Sequence, residues 1–300
     1  MRLATIRLGD VIRGAVVEGD AVYPLPDLLT VNDLVEGGLE RALEAGEQAR
    51  TGQPVALDAV HLELPWRPAS VRDFVTFESH VEGVRRSIEG TAGVPEAWYD
   101  APTFYFTNPH ALYGPGERIP RPATSRALDF ELEVGAVLGR GGRDLDEAEA
   151  RDAIFGYTIF NDWSARDLQA REMQIGLGPA KGKDFASAIG PWIVTADELE
   201  GHHDADGFLD LDCRVSVNGE PVGQDRLSNM HWNFAQMIAY ASRDSVVVAG
   251  DLLASGTTGG GGCLAELWGR RGEQTPPPLE PGDEVVMTVE AIGTLRGTVR

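Results

Sequence analysis

The chain has 300 residues, of which 47 are acidic and 26 are basic, giving a formal net charge of −21. So acidic a chain is a poor candidate for binding nucleic-acid phosphates or anionic lipid through bulk charge. Hydrophobic residues make up 42% and charged residues 24%, a balance typical of globular and not of disordered proteins. The length suffices for one sizeable domain or two unequal ones with a real core.

The two cysteines, Cys213 and Cys263, are too few for a disulfide framework and match no zinc-ligand spacing. The first residues, MRLATIRLGDVIRG, carry charges every few positions and lack the apolar run of a signal peptide. No stretch approaches the roughly 18 uninterrupted apolar residues of a membrane span. We therefore expect a cytoplasmic protein that contacts neither membrane nor nucleic acid.

Residues 1–65 are predicted to form a small N-terminal β domain, and residues 66–300 a larger one. Three short apolar runs between glycine-containing turns predict antiparallel strands over Leu3–Leu8, Val11–Val17 and Ala21–Leu25. A rough 3.6-residue period predicts a helix over Asn32–Arg50, which Gly37 and Gly38 weaken. Several prolines then mark a passage resembling a linker.

Beyond residue 66 the pattern favours strands and turns with few long helices. The run Ala127–Leu138 alternates and then becomes wholly apolar, which predicts a strand entering a core. Helices are predicted over Asp144–Phe155 and Asn229–Ser242, and Asn218-Gly219 predicts the tight turn of a hairpin. The expected fold class is α+β and rich in strands.

The sharpest local pattern is Asp129-Phe130-Glu131-Leu132-Glu133. Side chains alternate along a strand, so Glu131 and Glu133 share one face while the apolar residues take the other. Two carboxylates beside an apolar run must raise a pKa or bind a cation, and Mg²⁺ prefers such oxygen ligands. For an isolated pair of this kind, a solvated strand face is the simpler interpretation. Asp129 shares this face, and we interpret it as a structural residue or as one that contacts the Glu131–Glu133 pair without binding the cation itself.

The pair is not isolated, because Asp162 follows the apolar run Ile154–Phe160 and is a third candidate oxygen ligand. Arg166 and Gln169 come four and seven residues after it, on the same side of a following helix. Taken alone, Asp162 is more typical of a helix N-cap.

Lysine usage supplies a further signal. Of the 26 basic residues 24 are arginine, and the two lysines, Lys181 and Lys183, lie in the short segment AKGKD. A compact ammonium group is not replaceable by a planar guanidinium, so one of them is a candidate for chemistry. Three acids, an arginine, a glutamine and a lysine together suit a cation and a substrate that bears an oxyanion.

Four segments in order, DFELEVGAVLG, FNDWSARDLQ, LGPAKGKDF and DLLASGTTGG, resemble the fumarylacetoacetate hydrolase family. The resemblance covers about residues 70–300. It implies a mixed, rolled β-sheet catalytic domain with a smaller β N-terminal domain, usually as a homodimer. It also implies a Mg²⁺ cofactor (or Mn²⁺ or Ca²⁺) and a small oxo acid as substrate.

The resemblance assigns roles position by position. Its metal carboxylates correspond to Glu131, Glu133 and Asp162, with Asp73 as a fourth acid. Its catalytic histidine corresponds to His80, the acid that orients it to Glu266, and a catalytic lysine to Lys183. Groups that contact substrate or the developing anion correspond to Arg166, Gln169, Lys183, Tyr105 and Thr257. Whether Asp73 binds the metal directly stays open.

One departure bears on the substrate. Val75 stands where the fumarylacetoacetase pattern has a tyrosine that helps hold a substrate carboxylate, which suggests a less polar or shorter substrate end. The favoured function is hydrolysis of a carbon–carbon bond in a 1,3-diketo acid, with water activated by His80. Two alternatives stay open. One is a decarboxylase, isomerase or hydratase of 2-oxo acids, and the other is a non-catalytic member that binds a metabolite or a protein.

Overall fold

The computed structural model describes residues 1–88 and 90–300, and in them strands dominate. The strands, in chain order, are β1 (Arg2–Leu8), β2 (Val11–Glu18), β3 (Ala21–Pro24), β4 (Val55–Ala56), β5 (His61–Leu62), β6 (Val71–Phe74), β7 (Phe104–Thr107), β8 (Leu112–Tyr113), β9 (Arg118–Ile119), β10 (Leu128–Asp129), β11 (Leu132–Leu138), β12 (Ile154–Asp162), β13 (Ser164–Ala165), β14 (Ser187–Thr195), β15 (Asp212–Val217), β16 (Glu220–Arg226), β17 (Leu252–Ala254), β18 (Glu284–Val289) and β19 (Gly293–Val299).

The α-helices are α1 (Val31–Gly37), α2 (Leu39–Arg50), α3 (Glu78–Ile88), α4 (Glu147–Asp152), α5 (Arg166–Met173), α6 (Ala196–Leu199), α7 (Phe234–Ser242) and α8 (Leu264–Arg271). Short 3-10 helices span Pro26–Leu28, Leu57–Ala59, Glu96–Tyr99, Glu200–His202 and Leu227–Asn229. None of the helices in the described residues combines the length and hydropathy that a membrane crossing requires.

A large mixed sheet organises the chain. Its strand order is β4-β3-β2-β1-β14-β12-β11-β17-β6-β7, with β5 paired to β1 and β8 to β14. The order has two ends, so the sheet is open. A second sheet has the order β16-β15-β18-β19-β9. The first strand of the chain pairs with β14, at Arg2 with Val194, so the sheet runs across residue 65 without a break. The division into 1–65 and 66–300 stays a prediction.

The two faces of the large sheet bury different cores. Leu132 and Val134 face one side, where Met237 of α7 packs. Val137 and Phe160 face the other side, where Leu34 of α1 packs. Since burial of this apolar area drives folding, both faces hold the central strands rigidly in register.

The predicted strands and helices are present where the apolar period is clear, and some helices are shorter than predicted because capping residues start them later. The first three strands and the hairpin at Asn218-Gly219 are present. The predicted helix over residues 32–50 is two helices, because Gly38 adopts φ 85° between them. The helix expected from Asn229 begins only after Asn233, whose side chain caps it.

Two other predicted elements, a helix and a strand, also have bounds in the structure that differ from those predicted. The helix expected over residues 144–155 covers only Glu147–Asp152, because Asp146 caps its start and Ile154 already belongs to β12. The strand expected over residues 127–138 is interrupted at residues 130–131, which separates β10 from β11. Neither shift changes which face the acidic side chains take.

Helices α3 and α8 pack closely through glycine. A Cβ placed on Gly83 would lie 2.6 Å from Cγ of Glu266, and a Cβ on Gly269 would meet the Gly83 carbonyl. Such approach leaves no room for a methyl group, so the glycines set the distance between the two helices.

We therefore expect Gly83→Ala to destabilise the protein by about 1–3 kcal/mol through overpacking, although alanine favours a helix by about 1 kcal/mol. Gly37→Ala is the matched control, because the three atoms nearest to a Cβ there all belong to the flexible Arg41 side chain. It should leave stability unchanged or raise it. Urea unfolding followed by circular dichroism measures both, and a stabilised Gly83→Ala would contradict the tight contact.

Candidate active site

Neighbouring strands bring acidic side chains onto one face of the large sheet. Asp73 on β6 lies opposite Ala254 of β17 and Tyr105 of β7. Because opposite residues of paired strands point to the same side, this row continues through Gly135 of β11, two residues from Glu133. The predicted alternation is confirmed, since Phe130 and Leu132 lie in the core of the other face.

Three carboxylates converge at the centre of this face. Oxygen atoms of Asp73, Glu131 and Glu133 all lie within 4.8 Å of one another. All three side chains are buried, and Glu133 is wholly inaccessible. Burial first, and then repulsion from Asp73 and Glu131, raises the pKa of Glu133 well above its ordinary value.

Lys183 lies against this cluster as its counter-charge. Its Nζ contacts Oε2 of Glu131 and lies 2.6 Å from Oδ2 of Asp162. Burial lowers the pKa of Lys183, but these two carboxylates outweigh it and hold the pKa above its ordinary value. The side chain is therefore an ammonium ion that donates hydrogen bonds and does not act as a base.

Asp162 lies beside the three converging acids and is engaged by donors. Besides Lys183, the Tyr105 hydroxyl contacts its Oδ2, and the Ser187 hydroxyl lies 3.3 Å from Oδ1. The same Tyr105 hydroxyl lies 2.7 Å from Oδ2 of Asp73. Tyr105, expected to contact substrate, thus also fixes the spacing of two acids.

Arg166 and Asp129 form the other fixed charge pair. Nε of Arg166 donates to Oδ2 of Asp129 at 2.8 Å, and its Nη2 donates to Oε1 of Glu131 at 2.7 Å. Asp129 also accepts the backbone N–H groups of Leu264 and Ala265 at 2.8 and 3.0 Å, at the start of α8. One carboxylate thereby anchors both the guanidinium and a helix N-terminus.

His80 projects from α3 toward the acids. Its Nε2 lies 3.8 Å from Oε1 of Glu131, and its Nδ1 lies 3.6 Å from Sγ of Cys263. Burial lowers the pKa of His80 to about 4, so the imidazole is neutral near pH 7. Burial also raises the pKa of Cys263, which is therefore a thiol.

Glu266, expected to orient His80, has other contacts among the described residues. Glu266 accepts the Gly261 N–H at 3.2 Å and pairs with Arg270 at 2.5 Å. Among the described side chains it is Cys263, at the N-cap of α8, that faces Nδ1 of His80. Glu266 packs against Gly83, one turn along α3 from His80. Its role as the acid that orients His80 stays a prediction.

The remaining predicted residues line one cavity of about 420 Å³ with the cluster. Gln169 accepts a hydrogen bond from Arg166 at 3.0 Å through its carbonyl, which turns its amide nitrogen away from the guanidinium. The Thr257 hydroxyl lies 3.4 Å from Oε1 of Glu133. Gly256, beside Thr257, adopts φ 78° and passes close to the backbone of Phe74. A Cβ on Gly256 would lie 2.5 Å from the Phe74 carbonyl oxygen, so this position requires glycine.

The charge balance of this cluster suits a divalent cation. Five buried carboxylates (Asp73, Asp129, Glu131, Glu133 and Asp162) face the two buried cations Arg166 and Lys183. Carboxylate oxygens are the ligands that Mg²⁺ and Ca²⁺ prefer. The donor set therefore fits such an ion, with Asp73, Glu131 and Glu133 as the group whose oxygens lie close enough to share it.

Comparison with known proteins agrees with this geometry. The family model for the fumarylacetoacetate (FAA) hydrolase C-terminal region matches residues 69–300. The chain belongs to the fumarylacetoacetate hydrolase family. Fumarylacetoacetase of Oryza sativa subsp. japonica is 30% identical over 301 aligned residues, which cover 83% of this chain and 70% of that protein.

Two solved structures are similar to this chain over its whole length. Fumarylacetoacetate hydrolase from Exiguobacterium antarcticum has a TM-score of 0.77 at 25% identity, covering 100% of this chain and 99% of that one. A 5-carboxymethyl-2-hydroxymuconate delta-isomerase from Mycobacterium smegmatis has a TM-score of 0.71 at 28% identity, covering 100% and 98%. The predicted strand-rich α+β fold class and family are confirmed.

The sequence missed two features of the site. The sequence alone assigns no role to Cys263. The local signal for its place in the site is its position directly before α8. The segment around Trp98 also lines the cavity. Tertiary packing brings it there, and no sequence motif predicts this position. The roles assigned to individual site residues stay predictions.

We expect Glu133→Gln to raise the melting temperature of the metal-free protein at pH 7 by about 2 °C or more. Folding raises the pKa of Glu133, and an acid whose pKa is raised in this way destabilises the folded state at any pH above its unfolded pKa, a cost that the neutral amide avoids. The same change should abolish the rise that Mn²⁺ or Mg²⁺ produces in the parent protein. Differential scanning calorimetry measures both. Glu273→Gln, at an exposed loop residue, is the control and should change neither. An undiminished response to metal in Glu133→Gln would remove this carboxylate from the metal site.

Proposed function

We propose that this chain is a divalent-metal-dependent hydrolase that cleaves a carbon–carbon bond in a 1,3-diketo acid of the fumarylacetoacetate or acylpyruvate kind. The observation that carries the proposal is the buried His80 imidazole beside a carboxylate cluster, with its Nε2 3.8 Å from Oε1 of Glu131. A neutral imidazole can accept a proton from water, which hydrolysis requires.

An ion such as Mg²⁺ (or Mn²⁺ or Ca²⁺), held by Asp73, Glu131 and Glu133, would supply the positive charge that orients and stabilises an enolate. The protein groups provide the rest. His80 takes the proton of the attacking water. Lys183 and Gln169, which line the same cavity, donate hydrogen bonds to the oxygen on which negative charge develops.

Three residues, Asp129, Glu131 and Cys263, act by holding others in place. Asp129 and Glu131 fix the Arg166 guanidinium, which keeps its positive charge at the rim of the acidic cluster where the departing enolate forms. The Cys263 thiol lies at Nδ1 of His80 and limits rotation of the ring. A fixed base and fixed donors lower the reorganisation needed in the transition state.

An isomerase, decarboxylase or hydratase of 2-oxo acids is the second candidate. It is favoured by the likeness to the Mycobacterium smegmatis isomerase, at 28% identity and TM-score 0.71. Isomerisation needs proton transfer but no attacking water, and a histidine can perform either task. The homodimer that the family resemblance implies is likewise a proposal.

The two candidates are separated by product analysis. The purified protein with Mg²⁺ is given acylpyruvates and a fumarylacetoacetate-like diketone, while the ultraviolet band of the conjugated enol is followed. Loss of the band with two carboxylic acids as products supports hydrolysis, and chelation should stop it. Release of CO₂ or a shifted double bond supports the second candidate. Turnover that ignores chelators would contradict both.

The two lysines offer a matched pair of variants. Lys183→Met should lower kcat about a hundredfold or more, because one lost donor to a developing oxyanion costs on the order of 3 kcal/mol. Lys181, whose side chain is 73% exposed and pairs with Asp184, is the control, and Lys181→Met should stay within twofold.

Circular dichroism and Mn²⁺ binding by calorimetry should show that Lys183→Met keeps its fold and its metal. Lys183→Arg, which keeps the charge and changes its shape, provides a second variant should the first unfold. Unchanged turnover in a folded Lys183→Met would exclude Lys183 from the mechanism.

A further inference from the structure

The cavity that holds the carboxylate cluster is lined by two chemically different sets of side chains. One set, which we call the polar end, contains the acids with His80, Arg166 and Lys183. The other set, which we call the apolar wall or apolar end, is formed by Val75, Val81, Val84, Pro95, Trp98 and Met173. A cavity of about 420 Å³ exceeds what the reacting atoms of a small oxo acid fill.

Two helices each lead from the polar end to the apolar end. On α3, His80 faces the acids and Val84, four residues later on the same side, lines the apolar wall. On α5, Arg166 binds Glu131, and Met173 is seven residues farther along the same side.

The end of β6 and the residue after it repeat this order over a shorter distance. Asp73 on β6 belongs to the acidic cluster, and Val75, directly after the strand, lines the apolar wall. Three separate segments thus each contribute a residue to the polar end and a residue to the apolar wall. The difference between the two sets is therefore built into the framework of the cavity and does not depend on a single side chain.

Two polar groups near the apolar wall donate to backbone carbonyl oxygens. The Trp98 indole N–H donates to the Val75 carbonyl oxygen at 2.6 Å, which leaves the ring as an apolar surface. Arg85 also lines the cavity, and its Nη1 donates to the Gly93 carbonyl oxygen at 2.6 Å. A substrate group lying here would exchange water for apolar contact.

We infer that the substrate ends, away from its reacting 2-oxo acid, in an apolar chain or ring and not in a second carboxylate. This inference rests on the proposed function, because it places the 2-oxo acid at the acidic end. It separates this chain from relatives whose names denote substrates with further carboxylates, such as fumarylacetoacetase and the hydroxymuconate isomerase.

The test measures binding separately from turnover. Calorimetry in the presence of Mg²⁺ compares 2-oxooctanoate with 2-oxooctanedioate, which have the same length and differ only in a terminal methyl or carboxylate. We expect 2-oxooctanoate to bind at least tenfold more tightly, and affinity along shorter straight-chain 2-oxo acids to fall about fourfold per methylene removed. Equal or tighter binding of the dicarboxylate, or no binding of either acid, overturns the inference.

A charge placed in the wall should reverse the preference. Met173→Lys should weaken 2-oxooctanoate binding and strengthen 2-oxooctanedioate binding, each at least fivefold. Ile175→Lys, two residues away and 71% exposed, is the matched control and should leave the ratio of affinities within twofold of the parent. Ratios that move equally in both variants would contradict a role for this wall.

Turnover then distinguishes the inference from the proposed function. Hydrolysis of hexanoylpyruvate and benzoylpyruvate in preference to an acylpyruvate with a terminal carboxylate supports both. Hydrolysis with the opposite preference overturns the inference and leaves the function standing. Tighter binding of 2-oxooctanoate without cleavage of any acylpyruvate supports the inference and overturns the hydrolase.

Discussion

The structure depends on the confinement of more acidic than basic groups in one buried cluster. Lys183 and Arg166 each contact Glu131, yet they do not balance the carboxylates around them. Taking these charges from water costs several kcal/mol per ion, and attraction inside the protein repays this only with excellent geometry. A cluster left with surplus negative charge does not serve stability. It is an arrangement the fold tolerates because the surrounding sheet imposes it, and it marks a functional site.

The sheet can impose this arrangement because its core lies on both sides of the same strands. Val134 and Val137 of β11 are fully buried on opposite faces, so a shift of register would expose one set of apolar side chains. Glu133 therefore cannot leave the cluster by sliding its strand. Asp129 extends this rigidity beyond the sheet, since it binds Arg166 and the first N–H groups of α8 together.

Periodicity predicts what lies within one element and not how elements meet. The shared face of Glu131 and Glu133 follows from alternation along a strand, and the isolated lysines single out Lys183 by residue type. The partner of His80 could not be obtained in this way. It depends on how α3 rotates against α8, which the close glycine contact at Gly83 sets, and no sequence spacing encodes that rotation. Most residue roles were therefore predicted from the family resemblance, because members of a family share a tertiary arrangement that periodicity within one element does not reveal.

The polar end and the apolar wall of the cavity need different degrees of positional precision. Charged groups need fixed positions, because a displacement of about 1 Å costs much of an electrostatic contribution. Here Asp73, Glu133 and Asp162 stand on strands of the large sheet, and His80 and Arg166 stand on the first turns of helices. Apolar contact is non-directional, so a wall of Val84, Trp98 and Met173 can be built from helix surfaces and a 3-10 segment without comparable precision. Substitutions in that wall change the distal group that fits while leaving the charges in place. Substrate range can therefore diverge among relatives that share the same acidic end.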